Sequence, residues 1–128
     1  MSRSPDIAQR GALALGALAL SAGLLAGCGS SGPAAATSSA ATATCQQVGA
    51  VLSDGPDPDV DPVGYAEAQI RPLREIHTSN SDLGAAIAHL ATAYQQYSST
   101  NGAKAAKGMV SRAAKTINAL CPGAGAGI

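Results

Sequence analysis

Leu83, Ile87, Leu90, Tyr94 and Tyr97 stand at successive intervals of 4, 3, 4 and 3 residues. That repeat lines one face of an α-helix and cannot line one face of a strand. The same period recurs before and after it, at Val63, Ala66, Ile70, Leu73 and His77, and again at Ala106, Met109, Val110, Ala113, Ile117 and Leu120. No segment alternates with period two over a useful length. The expected fold is therefore all-α. With no Trp, no Phe and three Tyr among 128 residues, the core must come from small and aliphatic side chains, which draw helices close together.

Local signals divide this region into four helices. Thr44 and Gln47 have capping-box spacing ahead of Val48, Val51 and Leu52, and Gly55-Pro56 is a stop signal. Asp61-Pro62 offers an N-cap followed by proline at the first helical position. Pro72 falls inside the second pattern, where it removes one backbone bond and crowds the carbonyl of Ala68, so a kink or break is expected near Ile70 to Pro72. Asn80 or Ser81 caps the third helix, and the fourth runs to Cys121 before Pro122-Gly123. Short connectors make successive helices antiparallel. The start of the first helix and the end of the fourth then share one end of a small four-helix bundle.

The chain upstream of this region has a different character. Arg3 and Arg10 precede an uncharged Leu- and Ala-rich run from Gly11 to Leu25, too short and glycine-rich for a comfortable membrane span and well suited to the apolar core of an export signal. The run ends at Leu25-Ala26-Gly27-Cys28. These four residues resemble the bacterial lipobox, in which aliphatic and small residues precede a lipidated cysteine. The alanine-rich, aromatic-poor style resembles lipoproteins of high-GC actinobacteria, whereas residues 44–122 resemble no named family. The lipobox resemblance implies that signal peptidase II recognises Leu25, Ala26 and Gly27 and cleaves before Cys28. It also implies a diacylglyceryl group on the Cys28 sulfur and a further acyl chain, such as palmitate, on the new amino group. Two chains matter because one holds a protein on a bilayer only transiently.

The implied organisation is a signal peptide at 1–27, a lipidated cysteine and flexible Gly/Ser/Ala/Thr tether at 28–43, a helical domain at 44–122 and a flexible tail at 123–128. The tether reading rests on low complexity without charge or apolar period. With Cys28 carrying lipid, Cys45 and Cys121 are left as a pair in an oxidising compartment, and a disulfide between them is expected. It would join the two positions that the up-down-up-down topology brings to one end. No C-x-x-C spacing suggests redox catalysis.

Polar constellations argue for surface roles. Asp57, Asp59 and Asp61 alternate like the start of a calcium loop, but the sixth and twelfth places hold Pro62 and Ala68 where an EF-hand needs Gly and Glu. A stiff acidic connector is the better reading. His77 and His89 should lie about 9–10 Å apart along the helix axes, too far to share a transition metal. Lys104, Lys107, Arg112 and Lys115 lie opposite the apolar stripe of the fourth helix, as a solvated face or one that meets anionic headgroups. No metal, cofactor or catalytic constellation is expected. A formal net charge of zero gives no field to gather nucleic acid. The expected protein is a non-enzymatic, lipid-anchored module on the extracytoplasmic face of the cell membrane, binding an envelope protein or acting as a structural adaptor. The alternative is a carrier of a small apolar ligand or haem, held between helices near Pro72.

Overall fold

The computed structural model describes residues 33–128, with side chains from residue 39 onward. The export segment, the Leu25–Cys28 motif and the first residues after it lie outside the described residues. Four helices follow one another: α1 (Pro33–Leu52), α2 (Pro62–Glu75), α3 (Ser81–Ser99) and α4 (Lys104–Leu120). There is no strand among the described residues. The fold is the all-α small bundle that the apolar period predicts.

Helix α3 is the central element, packed between α2 and α4, and α1 packs on α2. This position explains why α3 buries Leu83, Ile87, Leu90 and Tyr94 together with Ala86, Ala91 and Ala93. A helix with two neighbours needs a wide apolar arc, and alanines on its flanks let both neighbours approach. From α2 come Tyr65, Ala66 and Leu73, from α4 Val110 and Ile117, and from α1 Val48 and Leu52.

Helix boundaries follow from identifiable groups. Asp61 Oδ1 accepts from the Gly64 amide at 2.9 Å, and Asn80 Oδ1 accepts from the Leu83 amide at 3.0 Å. Each satisfies one of the donors that a helix start leaves free. Helix α3 ends in a Schellman motif. The Gly102 amide bonds back to Tyr97 O and the Asn101 amide to Ser98 O, with Asn101 at φ 47° and Gly102 at φ 80°. A Cβ at Gly102 would also press on the Tyr97 ring, so glycine answers both the left-handed backbone and the close approach.

Several expectations need correction. Helix α1 begins at Pro33, so much of the segment assigned to a flexible tether is helical. Thr44 is inside the helix, with its hydroxyl donating to Ala40 O at 3.0 Å. Alanine carries the highest intrinsic helix propensity, and nothing between Pro33 and Leu52 breaks the run. Helix α2 stays one element across Pro72, because a proline in the last turn removes a single bond. The helix stops at Glu75, which leaves His77 exposed in the connector. On α4 the buried positions include Ala114, whereas Leu120 is 43% exposed.

Residues 123–128 are the last correction, for they fold back on the bundle. Asn118 Nδ2 donates to Ala126 O at 3.0 Å, and the Ala126 amide donates to Asn118 Oδ1 at 3.1 Å. Tyr94 donates to Gly127 O at 3.3 Å. Ala124 is buried, and Ala126 and Ile128 pack against the core.

Candidate interaction surface

Cys45 on α1 and Cys121 at the end of α4 form a disulfide, with Cα atoms 5.3 Å apart and a sequence separation of 76. It closes nearly the whole folded chain into one loop. Cys121 is fully buried and Cys45 half-buried, so the bond sits at the edge of the core.

At the opposite end of α1, two buried polar side chains of α2 complete the helix terminus. Tyr65 donates to Leu52 O at 2.7 Å, and Gln69 Nε2 donates to Asp54 O at 2.6 Å. Leu52 O is one of the carbonyls a helix end leaves without an internal partner, and Asp54 O belongs to the turn that follows it. Neither residue belongs to the apolar stripe, and sequence reasoning missed both; the signal lay in their spacing of four on α2. Tyr65 and Tyr94 meet edge to face, with ring centroids 5.9 Å apart and planes at 87°. Burial raises the pKa of both phenols. Tyr94 is raised further, by burial first and the neighbouring Tyr65 charge second.

The acidic connector emerges from this tied base. Asp57 organises it: its carbonyl accepts from the Val60 and Asp61 amides, and its Oδ1 accepts from the Asp59 amide at 2.9 Å. The carboxylates of Asp57 and Asp61 are thus engaged in a turn and in the α2 cap. No group of three His, Cys, Asp or Glu among the described residues is arranged to hold a metal ion. Val60, in the middle of the acids, is 81% exposed. Sequence reasoning did not single it out.

His89 is exposed on α3 and borders an open groove of about 290 Å³ between α3 and α4. Ala86, Ala93, Met109 and Ala113 give the groove apolar walls, and Arg112, Thr92 and Thr116 give it a polar edge. The two threonine hydroxyls donate to carbonyls of their own helices. Lys104, Lys107, Arg112 and Lys115 are all exposed. His77, in the α2–α3 connector, is not among the residues that line the groove.

A second groove, about 310 Å³, runs beside Pro72 between α1 and α2, with Val51, Asp54, Ala68 and Gln69 among its walls. It contains no His, Met, Cys or Tyr, the side chains that hold haem iron. Tyr94 and Tyr97 are buried in the core. No helix among the described residues is long and apolar enough to cross a membrane. Comparison of the chain with protein-family models, curated proteins and solved structures finds no match.

Proposed function

We propose that this chain is a lipid-anchored module of the cell envelope, held on the extracytoplasmic face through Cys28 and working by binding a protein partner. The observation that carries the reading is the sequence Leu25-Ala26-Gly27-Cys28 at the end of an apolar run. The Cys45–Cys121 disulfide supports it, since such bonds persist in oxidising compartments. The domain contributes a rigid scaffold. Among the described residues no buried side-chain nitrogen or oxygen lacks a hydrogen-bond partner, and the charged groups lie outside. From Pro33 to Cys45 the first turns of α1 add a stand-off of about 18 Å at 1.5 Å per residue. The anchored domain then presents its surfaces above the headgroups.

The test is metabolic labelling of the full chain in an exporting bacterial host supplied with radiolabelled palmitate. The wild-type chain is expected to take up label, fractionate with membranes and lack residues 1–27. Cys28→Ser should take up none. An unlabelled wild-type chain that retains its first residues would overturn the proposal.

A further inference from the structure

We infer that the acidic α1–α2 connector of one copy docks into the α3–α4 groove of a second copy, with Val60 as the inserted side chain. This pairing stands on the folded domain alone and goes beyond the anchor. Its first support is segregation of charge. Asp54, Asp57, Asp59 and Asp61 crowd the connector, while α4 carries Lys104, Lys107, Arg112 and Lys115 and no acid. The one ion pair among the described residues joins Arg71 and Glu75, both on α2. Neither pole is therefore neutralised by an ion pair among the described residues, although the whole chain has a formal net charge of zero.

Shape supplies the second support. Val60 is a branched apolar side chain, 81% exposed, on a connector stiffened by Pro56, Pro58 and Pro62 and by the bonds to Asp57. Docking such a segment loses little conformational entropy. The α3–α4 groove offers the complement: alanine and methionine walls, with Arg112 and His89 at the edge. Asp59, next to Val60, would meet Arg112. A membrane surface fits α4 less well. The stand-off along α1 is about twice the roughly 8 Å screening length at physiological salt, and headgroups supply no apolar knob for the groove.

Knob and groove are different surfaces of the molecule, so two copies either pair reciprocally, each knob in the other's groove, or repeat the contact head-to-tail from copy to copy. It is small, and therefore weak and transient in solution. Detergent-solubilised full chain recovered from an exporting host tests this by sedimentation at rising concentration. Average mass is expected to rise above that of the monomer as concentration increases, and to fall when salt is raised from about 20 to about 500 mM. Val60→Ser and Arg112→Glu should each weaken association at least tenfold. All these positions are exposed, so circular dichroism should be unchanged. Asp59→Arg combined with Arg112→Glu in one chain restores the opposite-charge pair and should restore association. A photo-crosslinking residue at position 60 should attach to α3 or α4 of a neighbour. Four outcomes overturn the proposal: a monomer at about 1 mM in low salt, indifference to both single substitutions, crosslinks to another face, or crosslinks only to lipid.

Discussion

Tyr65 and Gln69 are 3% and 2% exposed, yet each directs its polar end at a carbonyl of the α1 terminus. Their neighbour Tyr94 does the same for Gly127. Three buried polar side chains thus hold segments that lack a partner of their own, and two of them are phenols. Ionising either phenol would place a charge among apolar side chains, so the folded state keeps these protons more tightly than the unfolded chain, whose tyrosines ionise near pH 10. The contribution of these phenols to stability is therefore flat below about pH 10 and falls above it, by up to about 1.4 kcal/mol per pH unit for each tyrosine. Urea unfolding measured between about pH 8 and about pH 11 checks this. Tyr94→Phe should roughly halve the alkaline slope.

Helix α1 behaves as two pieces with different support. From Thr44 to Leu52 it packs, burying Thr44, Val48 and Leu52; from 39 to 43 it is exposed apart from half-buried Ala41. Ala40→Pro should leave the packed piece intact, with proline in its tolerated first turn, and change global stability by no more than about 0.5 kcal/mol. Backbone chemical shifts should report loss of helix upstream of residue 40 while the unfolding midpoint holds. The starts of α2 and α3 were legible because Asp61, Pro62 and Asn80 act locally, through bonds to amides three residues on. The start of α1 was not, because an alanine run without charge or apolar stripe gives helix propensity and no packing signal. The docking of residues 123–128 depends on Asn118 and Tyr94, which come close only after the helices have packed. The candidate surface divides the same way. Its acids and bases can be read along the chain, whereas the groove exists only where alanines of α3 and α4 face one another.

The bundle as a whole has a small, aromatic-poor core closed by one covalent bond. In the chain-entropy account, closing a loop of this length stabilises the fold by about 4–5 kcal/mol, an upper figure. Cys45→Ser with Cys121→Ser should lower the free energy of unfolding by up to that amount, measured by denaturant titration with and without reductant. For a domain this size such a loss removes much of the total stability. The position of the bond matters as well as its strength. Residues before Cys45 and after Cys121 leave the same end of the bundle, so tension between those two chain segments passes straight across the sulfur atoms. The intervening helices carry none of that load, and the domain keeps its shape under a tug that would peel open an unbridged bundle.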